Sequence, residues 1–456
     1  MQRTAEDSYQ MLLHRLVQSV RGKSAGQALL HPDDLGRVPV VEFVDHMIAE
    51  ALRLRASDIH IEPYRESVRI RYRVDGRLLE THAPIPWEVH AFLLARLKVM
   101  AHLDSVERRT AQDGRISYAP PAGGSVVDLR LATLPLLAGE KAVLRLLNRS
   151  HELLSIENLG FSARNEALFR RFCRMPDGMV LIVGPVNSGK TTTLYAALSE
   201  INTPEHNIMT IEDPPEYQIE GINQVQVNKK TGMTYAAGLR AMLRSDIDEI
   251  VLGEIRDAET AEMAVRAALT GHLLFSTMHT KDAVSAVLRL LDMGVPAYLL
   301  AAAVSGVVAQ RLVRRLCPHC REPSEETLPA WAQGAPKERV QLWRAVGCEV
   351  CGGTGFLGRL ALHEMLAVDA PMQQAILGRS RLAELREAAR RQGMKVLAED
   401  GVEKVRQGLT TLAEVAQVLY GEDGASDLAE ICCFDGDDAG ASEAHTPQGR
   451  FVYGSG

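Results

Sequence analysis

Aromatic residues make up only 5% of the 456-residue chain. Single-stranded nucleic acid is gripped by stacking bases on aromatic rings, so this scarcity argues against such a role. An excess of positive charge is also missing. Lys and Arg number 51 against 58 Asp and Glu, a formal net charge of −7, and the chain as a whole lacks the field that draws a phosphate backbone. Long hydrophobic runs are absent too. The longest nearly apolar stretch, 297–309, is too short to cross a bilayer and is expected to form a buried helix. Gln2, Arg3, Glu6 and Asp7 crowd the first residues and leave no hydrophobic signal core, so a cytosolic location is expected. There are 7 cysteines. A reducing cytosol disfavours structural disulfides, so any Cys-x-x-Cys pairs point toward metal.

What is present is ordinary globular sequence, 46% hydrophobic and 24% charged, long enough for two to four domains. Residues 1–37 form a short segment of mixed polarity. Val40, Val41, Phe43, Val44, Met47, Ile48, Ala51 and Leu52 then recur at helical spacing. A short strand, 56–63, follows and is closed by Pro63. From Val68 to Asp75 the chain alternates: Val68, Ile70, Tyr72 and Val74 on one face, Arg69, Arg71 and Arg73 on the other. That is a half-buried strand entering an Asp75-Gly76 turn. Its arginines face either solvent or a neighbouring subunit. Further strand signals at 114–119, 126–133 and 141–147, with a helix near 87–100, complete an α/β domain over 38–148. A linker leads to a second domain, 149–420, in which continuous apolar runs such as 179–183 alternate with helical patterns. Strands of that kind are buried on both faces of a parallel sheet, and the order implies a doubly wound α/β fold. Residues 421–456, rich in Asp, Glu, Gly and Ser, read as a disordered acidic tail.

The apolar run 179–183 passes directly into Gly184-Pro185-Val186-Asn187-Ser188-Gly189-Lys190-Thr191 and a helix. This is the strand–loop–helix context that a phosphate-binding P-loop requires. Its glycines let backbone N–H groups close around phosphate, and the helix N-terminus adds its positive end. In such a loop Lys190 would be expected to reach the terminal phosphates of ATP, the Thr191 hydroxyl to ligate Mg2+ and Thr192 to contact the nucleotide from the same turn. Two later apolar runs end in carboxylates, one at Glu212 before Asp213-Pro214, the other at Glu254. The C-terminal ends of parallel strands face the ligand crevice. One glutamate would handle the attacking water, and the other would hold metal-bound water; spacing alone leaves open which does which. Glu254 is also a Mg2+ candidate, directly or through water. His272 and His279 flank a further apolar strand, 273–278, and are read as γ-phosphate sensors.

Cys317 and Cys320, with Cys348 and Cys351, make two Cys-x-x-Cys knuckles whose separation suits a four-thiolate Zn2+ site. Four protein ligands leave no open position, so the zinc would be structural. Cys173, Cys432 and Cys433 have no matching partners.

Taken together, these motifs resemble the secretion ATPases of bacterial type II secretion and type IV pilus assembly. The resemblance runs from about Pro39 to Gln417. It is carried by residues 56–63, 71–76, 112–115 and 139–141, the P-loop, Glu212-Asp213-Pro214, 253–257 and the histidine pair. It implies a RecA-like P-loop domain preceded by a smaller, PAS-like α/β domain, with the tetra-cysteine zinc insertion at 317–351 and a helical C-terminal part. It further implies a homo-hexameric ring, an inner-membrane platform protein as partner with a membrane adaptor on the cytoplasmic side, and ATP, Mg2+ and Zn2+ as cofactors. By the same resemblance Arg115 and Arg130 act in trans on a neighbour's γ-phosphate. The zinc insertion marks assembly members rather than retraction members. Departures are Val186-Asn187 in the P-loop, Ser245 and Ile247 before the second carboxylate strand, and Lys281. The N-terminal segment is also shorter than in members with an extra docking domain. Two readings of other classes compete. One is a nucleic-acid-binding zinc-ribbon protein, favoured by the basic stretch 311–315 and opposed by the charge balance. The other is a non-hydrolysing scaffold, opposed by the intact Lys190, Thr191, Glu212 and Glu254.

Overall fold

The computed structural model describes residues 2–21, 39–121, 123, 125–147, 155–327 and 339–421. The acidic tail expected from the sequence lies outside these residues, apart from Gly421.

The first domain begins with a helix, α1 (Gln2–Arg21), inside the N-terminal segment of mixed polarity. It lays Tyr9, Leu16 and Val20 into the domain core. Helix α2 (Val40–Arg53) buries Val40, Phe43, Val44, Met47, Ile48 and Ala51, the stripe its spacing predicts. Next come β1 (Asp58–Pro63), β2 (Ser67–Val74), β3 (Arg77–Leu79) and the two-residue β4 (Ile85–Pro86). Helix α3 (His90–Met100) and the strands β5 (Gln112–Tyr118), β6 (Val127–Leu136) and β7 (Gly139–Leu147) complete the unit. The strands form one antiparallel sheet in the order β3-β2-β1-β7-β6-β5, with β4 beside β2. Asp75 and Gly76 both take positive φ, 48° and 89°, as a two-residue hairpin turn requires.

One face of this sheet carries Ile59, Ile61, Val68, Ile70, Tyr72, Leu129, Leu131 and Leu144 into the core. The other face is charged. Its arginines meet β1 carboxylates, which neither simple sequence reading of that face anticipated. Arg71 donates to Glu62 through Nε (2.8 Å) and Nη2 (3.0 Å), and Lys141 Nζ donates to the same carboxylate at 2.8 Å.

The second domain runs α4 (Ala163–Cys173), β8 (Gly178–Val183), α5 (Lys190–Ile201), β9 (Ile208–Glu212), β10 (Asn223–Gln226), α6 (Tyr235–Met242), β11 (Glu249–Leu252), α7 (Ala258–Leu269), β12 (Leu273–Met278), α8 (Ala283–Asp292), α9 (Ala297–Ala303) and β13 (Val304–Leu316). Strands β14 (Glu322–Thr327) and β15 (Arg339–Arg344) form a separate hairpin, and β16 (Phe356–Ala367) returns to the main sheet. Helices α10 (Ala370–Leu377), α11 (Leu382–Arg391), α12 (Leu397–Arg406) and α13 (Leu412–Tyr420) close the chain. The sheet order is β10-β9-β11-β12-β8-β13-β16, parallel except for β16. Every residue of β8, β11 and β12 is buried, as expected of strands covered on both faces. Helices α7 and α8 start where Asp257 and Asp282 accept hydrogen bonds from Thr260 and Ser285 backbone N–H groups.

The apolar run expected as one buried helix is divided. Its alanine-rich first half is α9, whereas Val304, Val307 and Val308 belong to β13 and pair with β8. A short apolar run has no period that separates helix from strand, and the β-branched residues decide it here.

Burial pushes the Glu62 carboxyl up, but hydrogen bonds from Arg71 and Lys141 outweigh it and hold the group near 2. A folded pKa below the unfolded one means a stabilising contribution present above about pH 4.3 and lost as pH falls toward the folded value. Glu62→Gln is therefore expected to lower the melting temperature at neutral pH and to flatten its decline under acid. Parallel melting curves of variant and wild type between about pH 5 and pH 2 would contradict this.

Candidate functional site

Strand β8 delivers the chain to the crevice at its C-terminal end. There Gly184, Asn187 and Gly189 take φ of 155°, 62° and 89°. Asn is among the few side-chain-bearing residues that tolerate the left-handed region, so Asn187 keeps the loop's shape. A Cβ on Gly184 would fall 2.5 Å from both Gln310 O and Ser188 Oγ. Pro185, Val186 and Asn187 are exposed at the loop's tip, and Ser188 is buried at its base. Helix α5 begins at Lys190, with Thr191 and Thr192 in its first turn. Lys190 Nζ donates to the carbonyls of Gly184 (3.0 Å) and Pro185 (2.8 Å). Burial lowers its ammonium to about 8 against the pull of Glu254.

The two glutamates differ in their surroundings. Glu212, at the end of β9, is 5% exposed. It accepts hydrogen bonds from the Tyr195 hydroxyl on α5, from Thr210 Oγ1 at 2.6 Å and from Gln224 Nε2 at 3.1 Å. Both of its oxygens are engaged. Glu254, two residues beyond β11, pairs with Arg256 and lies 3.9 Å from His279 Nε2. Its charge also acts on Lys190. Lys190, Glu254 and His279 thus converge at one end of the sheet.

The histidines do not act as a pair. His279 follows β12 at the P-loop end; burial first, then Lys190, lower its pKa against the pull of Glu254. His272 precedes β12, and its carbonyl accepts from Gly178 N–H at the start of β8. It therefore stands at the opposite end of the sheet, with Nδ1 3.1 Å from Ala267 O. A strand of six residues separates it from the loop, about 20 Å at the usual rise. Of the two histidines read together as γ-phosphate sensors, His279 stands at the P-loop end of β12 and His272 at the far end.

Arg115 and Arg130 face each other across β5 and β6, and Arg130 in turn faces Arg145 on β7. The row continues through Asp58 to Arg73. Arg145 donates to Asp58 at 3.1 Å. Arg115 is exposed, while Arg130 donates through Nη2 to Pro215 O at 3.0 Å and brings Nη1 within 3.6 Å of Glu216, just past Glu212. Like charges opposite one another are destabilising unless an anion intervenes. Arg145 was missed in the sequence, although Lys141, Val143 and Arg145 alternate onto this face.

The four cysteines are brought together. Their sulfurs all lie within 4.8 Å of one another, with Cys317–Cys348 at 3.9 Å and Cys320–Cys351 and Cys348–Cys351 at 3.8 Å. Tetrahedral Zn2+ at the usual Zn–S length requires sulfurs about 3.8 Å apart. Backbone N–H groups of Gly347, Cys348 and Gly355 point at Cys320 and Cys351 sulfurs. Burial pushes the Cys351 thiol up, but the Cys348 and Gly355 N–H donors outweigh it and bring it down, whereas burial raises the Cys320 thiol beside it.

Elemental analysis of protein purified without added metal is expected to give one zinc per chain. A Cys317→Ser, Cys348→Ser variant should lose the metal and melt at lower temperature, yet still bind ADP, because the cluster lies outside the P-loop. Four free thiols in zinc-free native protein would refute the assignment.

The profile of the "Type II/IV secretion system protein" family matches residues 33–417. The type II secretion system ATPase E of Vibrio cholerae is 46% identical over 386 residues, 83% of this chain and 75% of that protein. The type IV pilus assembly ATPase PilB of Thermus thermophilus is 45% identical over 407 residues, 88% of this chain but 45% of that longer protein. Among solved structures, the ATPase DotB of Legionella pneumophila superposes with a TM-score of 0.60 at 20% identity, covering 86% of this chain and 96% of that one. The pilus retraction motor PilT with bound ADP gives 0.55 at 24% identity, covering 85% and 99%. These two share the fold. With the P-loop, the glutamate pair and the match over most of its length, the chain belongs to the type II/IV secretion system protein family.

Proposed function

We propose that this chain is the ATP-hydrolysing motor subunit of a cytoplasmic homo-hexamer, driving pilus or pseudopilus assembly and protein secretion at the inner membrane. The observation that carries the reading is the convergence of Lys190, Glu254 and His279 at the P-loop end of β8, β11 and β12. Relatives named as type II secretion and type IV pilus assembly ATPases support it over most of the chain. Among the described residues no helix is long and apolar enough to cross a membrane, which fits a motor that reaches the membrane through a platform protein and an adaptor.

The loop N–H groups and the α5 N-terminus receive the phosphates of ATP. Lys190 exchanges its two carbonyl partners for phosphate oxygens. The Thr191 hydroxyl and the Glu254 carboxylate offer the oxygen donors that suit Mg2+, which when bound neutralises charge on the phosphates. Glu254 orients the attacking water, since its carboxylate faces the site beside His279. Glu212, with both oxygens already satisfied, holds the turn after β9. Arg115 and Arg130, opposite each other on β5 and β6, approach a neighbour's γ-phosphate in the ring and neutralise charge that develops there. The zinc cluster favours assembly over retraction. The charge balance of the chain accords with a partner set that excludes nucleic acid.

Mixing inactive subunits tests the shared site. Arg130→Ala subunits keep their P-loop and Lys190→Ala subunits keep their arginines. In mixed rings a P-loop-intact subunit beside a Lys190→Ala neighbour receives an arginine, so part of the ATPase activity should return. Confirmed mixed rings with no activity at any ratio would show instead that Arg130 serves only its contact with Pro215 and Glu216.

A further inference from the structure

Gln310 lies beside the phosphate loop with 1% of its surface exposed, and the scheme above gives it no part. Strand β13 runs parallel to β8 and pairs Ala309 with Val183. Gln310 therefore stands level with Gly184, the first residue of the loop. Its side-chain Nε2 donates to the Ser188 carbonyl at 2.7 Å, and its Oε1 accepts from the Thr193 hydroxyl at 2.9 Å. A carbonyl can only accept, so only one orientation of the amide satisfies Ser188. No other side chain of this shape donates and accepts at once: Glu lacks the donor, and Met and Leu lack both.

The two bonds have different consequences. The Thr193 bond ties β13 to the second turn of α5 and belongs to the packing of the domain. The Ser188 bond acts on the loop. A trans peptide unit is planar, with its C=O and N–H pointing in opposite directions. Anchoring the Ser188 carbonyl against β13, behind the loop, turns the Gly189 N–H outward to the side where phosphate binds. Both loop glycines are also fitted around this residue. A Cβ at Gly189 would come 3.0 Å from Gln310 Nε2, and one at Gly184 would come 2.5 Å from Gln310 O.

We propose that Gln310 is a positioning residue for the nucleotide: by holding the Ser188 carbonyl, its amide presents the Gly189 N–H to the phosphates and so sets nucleotide affinity. This rests on the reading of residues 184–191 as the nucleotide site, and it predicts an effect on binding with the chemical step left nearly intact.

The test is ADP affinity by calorimetry on the full chain, with melting temperature measured alongside. Gln310→Met should raise the ADP Kd about tenfold, the scale of one buried hydrogen bond, and raise the KM for ATP similarly. At saturating ATP, kcat should stay within about threefold of wild type. Thr193→Val removes only the packing bond, so it should lower the melting temperature while ADP Kd stays within about twofold. Should Gln310→Met fold poorly, the Gln310→Leu, Thr193→Val pair leaves no orphaned hydroxyl and carries the same expectation of weak ADP binding. The proposal is overturned if the folded Gln310 variants bind ADP within about twofold of wild type, or if Thr193→Val weakens ADP as much as they do. Failure of wild type itself to bind ADP would count against the nucleotide site and not against the role of Gln310 within it.

Discussion

Strand β8 is hydrogen-bonded to β12 on one side and β13 on the other, and all six of its residues are buried. The functional arrangement depends on that central position. The strand leaves the sheet at its C-terminal end into the phosphate loop, and two positions of that loop, Gly184 and Gly189, leave no room for a side chain. Gly184 meets the backbone of β13, and Gly189 meets a side chain from the same strand. The loop is shaped by β13 behind it as much as by its own sequence. The same parallel order carries Glu212, Glu254 and His279 to the loop's end of the sheet, because β9, β11 and β12 all run in the direction of β8.

The first domain follows a different rule. Its antiparallel sheet has one apolar face, filled by α1, α2 and α3, and one charged face. Period-two alternation puts Asp58 and Glu62 of β1 between the basic residues of β2 and β7, so much of the positive charge is neutralised within the sheet. On β5 and β6 the same face carries Asp113 and Asp128 beside the arginines, and Arg130 also lies 3.6 Å from Glu216. Arg115 and Arg130 stand opposite each other at that edge. Within the chain, the β2–β3 turn also rests on the second domain: Asp75 accepts from Gly358 N–H at 3.0 Å, and Arg77 pairs with Glu414 at 2.8 Å.

Local pattern made most of this legible. The α2 stripe, the alternating strands, the P-loop and the two cysteine knuckles each lie within a few residues of sequence and carry their own period or spacing. Helix α1 was legible but overlooked: Tyr9, Leu12, Leu13, Leu16, Val17 and Val20 repeat at helical spacing behind a polar opening. What the sequence could not supply was placement along a strand relative to distant partners. His272 and His279 look equivalent beside their strand, yet parallel pairing sends one to each end of the sheet. Glu212 and Glu254 both end apolar runs, and only the folded contacts of Tyr195 and Gln224 separate them. Gln310 carries no local signal, since the carbonyl it holds is far away in the chain.

The central claim is that Lys190 and Glu254 form an ATP-hydrolysing centre. Steady-state phosphate release from MgATP by purified protein, compared with Lys190→Ala and Glu254→Gln, tests it most directly. Wild type should turn over ATP only with Mg2+ present. Lys190→Ala should show no turnover while keeping the wild-type circular dichroism spectrum and zinc content. Glu254→Gln should bind nucleotide but lose about two orders of magnitude or more in kcat. Turnover near the wild-type rate in either folded variant would contradict the account.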